Sequence, residues 1–236
     1  MSVTSRRDLA VVLAGAGDGA RMGGRGPKLL LPIAGKTLLE RVASVFLAHP
    51  SVGELIAVVP EALLEPARRA LSALPASSDI RREVTPGGAT RRESVGRGLR
   101  ALTLGLPYVA VHDVARALVE EHLITRVLET ARVEGAAIPA VPLRDTVTEV
   151  DAGRVVRTLD RARLFGVQTP QIFADAILRR AHASAETEGR DATDDASLLE
   201  ASGAKVAVVP GDPMNLKLTE PSDIAMFEFL LRRATP

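Results

Sequence analysis

The chain has 236 residues, 46% hydrophobic and 25% charged, with 30 Lys and Arg against 29 Asp and Glu. That is ordinary globular usage, enough for one α/β domain over residues 1–236, and it excludes global disorder. A net charge of +1 and no cysteine give no general reason to expect a nucleic-acid or membrane partner, and they exclude disulfides and thiolate chemistry. Residues 1–8 lack a signal-peptide apolar core and no apolar run reaches membrane-spanning length, so the expected compartment is the cytoplasm.

A short apolar run at residues 9–14 reads as the first strand, followed by a glycine-rich stretch to residue 28. A helix is predicted over 37–48, where Leu38, Leu39, Val42, Val45 and Phe46 share one face and mark the stripe that packs on a sheet. Strands at 55–59, 80–84, 108–112, 136–141 and 205–209 alternate with helices at 61–71, 91–102, 120–133, 174–185, 194–201 and 221–232. This alternation predicts βαβ units: a single Rossmann-like domain with a mostly parallel twisted sheet and helices on both faces. Residues 146–150 and 154–159 alternate apolar with polar around Asp151-Ala152-Gly153, the pattern of a β-hairpin. A hairpin this short does not fold alone, so residues 142–160 are expected to form an arm that packs on a second copy of the chain, giving a homodimer.

The stretch after the first strand runs Gly15-Ala16-Gly17-Asp18-Gly19-Ala20-Arg21-Met22-Gly23-Gly24-Arg25-Gly26-Pro27-Lys28. It stands where an open α/β sheet binds ligands, and its glycines let backbone N–H groups approach phosphate oxygens. Gly15-x-Gly17-x-x-Ala20 formally matches a dinucleotide fingerprint, but that motif opens directly into a helix, which Gly23, Gly24, Gly26 and Pro27 prevent. Gly35-Lys36-Thr37 suggests a P-loop, but Leu30 occupies the position of its opening glycine, so Lys36 reads as a turn residue. What remains is a glycine cradle of Gly17 and Gly19 ending in two cations, Arg21 and Lys28. Nucleotidyl transfer needs positive charge where the α-phosphate becomes more negative, and these two would supply it. A surface loop with two solvated charges is the alternative.

Later segments resemble one family. Gly87-Gly88-Ala89-Thr90-Arg91-Arg92-Glu93-Ser94-Val95, Val111-His112-Asp113-Val114-Ala115-Arg116, Arg144-Asp145-Thr146, Leu159-Asp160-Arg161, Gln168-Thr169-Pro170-Gln171, Thr193-Asp194-Asp195-Ala196-Ser197 and Asn215-Leu216-Lys217-Leu218-Thr219 follow in order. Together they resemble the 2-C-methyl-D-erythritol 4-phosphate cytidylyltransferases of the non-mevalonate isoprenoid pathway. The resemblance implies CTP and a polyol phosphate as small-molecule substrates, with Mg²⁺ on the triphosphate. It implies that Arg21 and Lys28 stabilise the transition state and that Arg161 and Lys217 position the second substrate. Gly15, Ala16, Gly88 and Ser94 would contact base and ribose, with Asp113, Arg116, Thr146 and Thr169 around the ribose and the polyol phosphate. Ala89 stands where the family often carries an acid, which leaves base recognition to the backbone; Leu29, Val114 and Ala117 also depart from the family's usual residues.

Asp113 has two readings, a helix N-cap or an acid that meets Mg²⁺, which takes oxygen ligands beside substrate phosphates. His112 reads as a strand residue rather than a base, because an attacking phosphate is already ionised. A ribitol 5-phosphate cytidylyltransferase and a non-catalytic nucleotide-binding module remain open as alternatives.

Overall fold

The computed structural model describes residues 7–17 and 28–233. Its centre is an eight-stranded sheet. The strands β1 (Leu9–Ala14), β4 (Val52–Val59), β5 (Arg81–Pro86) and β6 (Tyr108–Asp113) are parallel, in the order β6-β1-β4-β5. Beyond β6 come β11 (Gln171–Ala174), β7 (Ala136–Pro142) and β10 (Phe165–Val167), with β11 antiparallel to β6 and β7, and β10 antiparallel to β7. The strand β7 also pairs in parallel with β12 (Ala207–Pro210).

Period two along the strands divides the core. Leu9, Val11 and Leu13 of β1, with Leu55, Ala57 and Val59 of β4, share one buried cluster with residues of α1 (Leu38–Ala48), α2 (Leu64–Ser72), α4 (Glu121–Glu134) and α7 (Asp223–Arg233). Ala10, Val12, Ile56 and Val58 point the other way, onto α3 (Arg91–Ala101), α5 (Asp175–Thr187) and α6 (Asp195–Ala201). Both faces of these strands are covered, which is why they read as continuous apolar runs.

The helix starts are fixed locally. Thr37 caps α1, accepting from the Glu40 N–H while the Glu40 carboxylate accepts the Thr37 N–H at 2.7 Å, a reciprocal capping box. Lys36 lies in a two-residue ribbon, β2 (Pro32–Ile33) with β3 (Lys36–Thr37). Helix α3 sits close to the sheet because Gly98 has no side chain: a Cβ there would lie 2.5 Å from Val12 Cγ1.

The hairpin predicted over 146–159 is present as β8 (Thr148–Asp151) and β9 (Arg154–Thr158), a separate two-stranded sheet. The sequence pattern did not reveal β10, β11 or the small β2–β3 ribbon. Strands of two to four residues hold too few positions for alternation to show, and Pro170 between β10 and β11 reads as a break.

Candidate functional site

The carboxyl ends of β1, β4, β5 and β6 open onto one crevice, and there the structure has a cavity of about 510 Å³. Its floor is the turn after β1. Gly15 donates its N–H to the Val58 carbonyl at 2.9 Å, and a Cβ at Gly15 would meet Leu29 Cδ1 at 2.8 Å and Val114 Cγ2 at 3.1 Å. Leu29 and Val114, both buried, thus form an apolar wall packed closely against position 15, so that a side chain there would have to displace the end of Leu29.

Opposite lies the turn from β5 into α3. The Gly87 N–H bonds the Val59 carbonyl, the Gly88 N–H bonds Ser94 Oγ at 3.0 Å, and Ser94 Oγ donates to the Thr90 carbonyl at 2.9 Å. Gly87 is forced, since a Cβ there would lie 2.2 Å from the Ala16 Cβ. The two glycine turns are therefore in mutual contact.

Charge gathers at the end of β6. Asp113 Oδ2 accepts from Lys217 Nζ at 2.6 Å, and Oδ1 accepts from Arg91 Nε and Nη2, each at 3.3 Å. Arg91 Nη1 reaches on to Asp195 Oδ2 at 2.7 Å, and Asp195 Oδ1 meets His182 Nε2 at 2.9 Å. Burial pushes the Asp113 carboxyl up, but Arg91 and Lys217 more than offset it and hold the group at about 2. Burial likewise opposes charge on Arg91, yet Asp195 and Asp113 outweigh it and raise its pKa. Asp113 is not a helix cap; it is an ionised acid clamped between two cations. One clamp, Arg91, is itself anchored to buried Asp195, whereas the Lys217 side chain is 41% exposed.

His112 is fully buried beside this acid, and burial lowers its pKa to about 4 despite the Asp113 charge. The Arg116 carbonyl, 3.2 Å from Nε2, can only accept, which places the ring proton on Nε2. Nδ1 then accepts from Thr169 Oγ1 at 3.1 Å, and the same oxygen accepts the Asp113 N–H at 3.1 Å. Both ring nitrogens of His112 are thereby occupied. The Lys28 ammonium donates to the Leu218 and Thr219 carbonyls at 3.2 and 2.7 Å, tying the first loop to the segment that carries Lys217.

The sequence-predicted residues fall into four groups. Gly15, Ala16, Gly17, Lys28, Gly88, Ser94, Asp113 and Lys217 line the cavity together. Thr169 and Arg116 stand behind it: Thr169 braces Asp113, while Arg116 donates to the Asn215 and Val167 carbonyls at 2.8 and 3.1 Å. Thr146 is exposed beside the hairpin, and Arg161, also exposed, donates to the Arg144 carbonyl. Gly19 and Arg21 lie outside the described residues. Sequence reasoning missed Arg91 as a site residue; it stands within the 87–94 motif, but its partners Asp113 and Asp195 are 22 and 104 positions away.

A family model for 2-C-methyl-D-erythritol 4-phosphate cytidylyltransferase matches residues 9–233. The chain belongs to this family. A cytidylyltransferase of that name from Carboxydothermus hydrogenoformans is 42% identical over 95% of this chain and 96% of its own length. The crystal structure of the Thermus thermophilus cytidylyltransferase superimposes with a TM-score of 0.77 at 36% identity, over 95% of this chain and 99% of that one. The Anaerococcus prevotii 4-diphosphocytidyl-2C-methyl-D-erythritol synthase gives a TM-score of 0.83 at 26% identity, covering 97% and 100%. The enzyme is thus a nucleotidyltransferase whose fold and sequence agree with its family from β1 to α7. Among the described residues no helix is long and apolar enough to cross a membrane.

Proposed function

We propose that the enzyme joins CTP to 2-C-methyl-D-erythritol 4-phosphate, giving 4-CDP-2-C-methyl-D-erythritol and pyrophosphate for isoprenoid precursor synthesis. The observation that carries this reading is the convergence of Lys28, Lys217 and Asp113 on a cavity walled by two glycine turns, in a chain of this family.

A polyol phosphate oxygen attacks the α-phosphorus in line, a P–O bond forms, and the α–β bridging bond breaks as pyrophosphate leaves. The attacking group is already ionised, so no base is required, and neutral His112 has no proton-accepting atom to spare. Lys28, with Arg21, stabilises charge that grows on the α-phosphate. Lys217 is the exposed partner of Asp113 and can turn its ammonium to the incoming polyol phosphate. Arg91 then keeps Asp113 ionised and in place.

Asp113 suits Mg²⁺. That ion is bound by one or two carboxylates together with substrate phosphates, and among the described residues no cluster of three His, Asp or Glu side chains is built to hold a metal alone. When bound, the ion would neutralise charge on the triphosphate. The hairpin supports a homodimer: Val150, Val155 and Val156 are 59%, 69% and 56% exposed, and Phe165 at its base is 49% exposed, an apolar face that a second copy would cover. On such a dimer, Thr146 and Arg161 would reach the partner's cavity. A cysteine-free composition fits residence in the cytoplasm.

Pyrophosphate release measured for four nucleoside triphosphates against methylerythritol phosphate and ribitol phosphate tests the reading. Turnover is expected with CTP and methylerythritol phosphate alone. Equal use of ribitol phosphate would overturn the substrate assignment, and binding without turnover would overturn the activity.

A further inference from the structure

The turn that faces Gly15 and Ala16 spends its hydrogen-bond donors in an unusual way. The Gly87 N–H is taken by the Val59 carbonyl and the Gly88 N–H by Ser94 Oγ. The Ala89 N–H is taken by Glu93 Oε2 at 2.8 Å. A glutamate three residues past a threonine N-cap ordinarily reaches back to the cap's own N–H. Here Thr90 is the cap, its side chain accepting from the Glu93 N–H, yet Glu93 reaches one residue further out. Gly88 makes room for this, since a Cβ at position 88 would lie 2.5 Å from the Glu93 Cβ.

Among the described residues the Gly88 and Ala89 carbonyls carry no hydrogen bond, and Gly88, Ala89 and Thr90 all line the cavity. The turn therefore has two acceptors and one remaining donor, the Thr90 N–H, to offer a ligand. A pyrimidine with an exocyclic amine beside ring acceptors complements that set. Uracil turns a carbonyl toward the acceptors and finds no partner.

We infer that Glu93 is a specificity-determining positioning residue: by occupying the Ala89 N–H it denies the turn the donor that uracil O4 would need. Glu93 touches no substrate atom; it acts through the Ala89 peptide. The inference rests on the proposed function, with the base of CTP lying against this turn.

The test is the ratio of kcat/KM for CTP to that for UTP, measured with methylerythritol phosphate in four forms of the enzyme. The wild type and E93Q, which keeps an acceptor oxygen, should both favour CTP strongly. E93A frees the Ala89 N–H, and the ratio should fall at least about tenfold, chiefly because UTP improves. Proline has no N–H, so E93A/A89P should restore the preference. If E93A does not fold, E93S, too short to reach Ala89, replaces it. A ratio in E93A within about twofold of wild type, or a double variant that stays as permissive as E93A, overturns the inference and leaves Glu93 as a helix cap. Equal use of CTP and UTP by the wild type would instead overturn the placement of the base on this turn.

Discussion

At the scale of single residues, Lys28 is a cation fixed before substrate arrives, its ammonium held at the cavity wall by the Leu218 and Thr219 carbonyls. A charge placed for the transition state affects turnover more than binding. K28A should lower kcat by about a hundredfold, roughly 3 kcal/mol, with a smaller change in the KM for CTP. A kcat within about threefold of wild type would remove it from the catalytic group. Arg91 has a different balance. Replacing it with methionine leaves Asp195 buried without its guanidinium, which should cost about 3 kcal/mol of stability in urea titration; an unchanged midpoint would show that His182 alone suffices for Asp195. His112 makes the fold sensitive to acid. Its folded pKa, about 4, lies below the ordinary 6.5, so between those values the unfolded chain binds a proton that the native chain refuses. Stability should fall on acidification from about pH 6.5 to about 4, by on the order of 3 kcal/mol from this group, and level off below. H112Q should flatten that slope. Asp113, depressed to about 2 from 3.8, adds its own loss only below about pH 4.

Helix α3 shows how sharply an element can constrain its sequence. Gly98 faces Val12 and Val58, where a Cβ would sit 2.5 and 2.9 Å from their methyl carbons, whereas the nearest atom to a Cβ at Gly96 is 3.6 Å away. G98A should therefore destabilise by about 1–3 kcal/mol through overpacking. G96A, on the same helix, should stabilise by up to about 1 kcal/mol through helix propensity. Thermal or urea unfolding of the pair checks the opposite signs, and equal effects would show that α3 shifts to make room. Elements of this kind were legible beforehand, because a strand buried on both faces and a helix with one apolar stripe carry their periods over many residues. The parallel strands and the helices α1 to α7 were found that way, and the hairpin from alternation over residues 146–159 centred on the Asp151-Ala152-Gly153 turn, a span longer than either of its strands. The β10–β11 segment was not, and neither was the use of Arg91. Three- and four-residue strands owe their existence to the neighbours they pair with, and a guanidinium at a helix start looks solvated until the fold brings Asp113 and Asp195 to it. Glu93 was hidden for the same reason: its partner is a peptide N–H, which no side-chain pattern records.

For the whole molecule, the homodimer proposed through the exposed hairpin determines which cavity Arg161 would serve. If the hairpin swaps across a twofold axis, Arg161 acts in the neighbour's cavity rather than its own. Inactive K28A and R161A chains, dissociated and reassociated together, then make mixed dimers with one intact site and one doubly damaged site. Random pairing gives half mixed dimers, and activity should return to roughly a quarter of wild type. A mixture that stays inactive would place Arg161 within its own chain, since every site would then lack one of the two residues.

The contact between Lys28 and the Leu218 and Thr219 carbonyls spans 190 and 191 positions. Loop closures of that length come late in folding, after local helices and neighbouring strands have formed. During synthesis from the N-terminus the parallel strands can assemble while the cavity still lacks Lys217 and the carbonyls that hold Lys28. On the roles proposed for Lys28 and Lys217, the chain thus acquires its architecture before its chemistry, and a newly made molecule should not turn over CTP until the segment that carries Lys217 has docked.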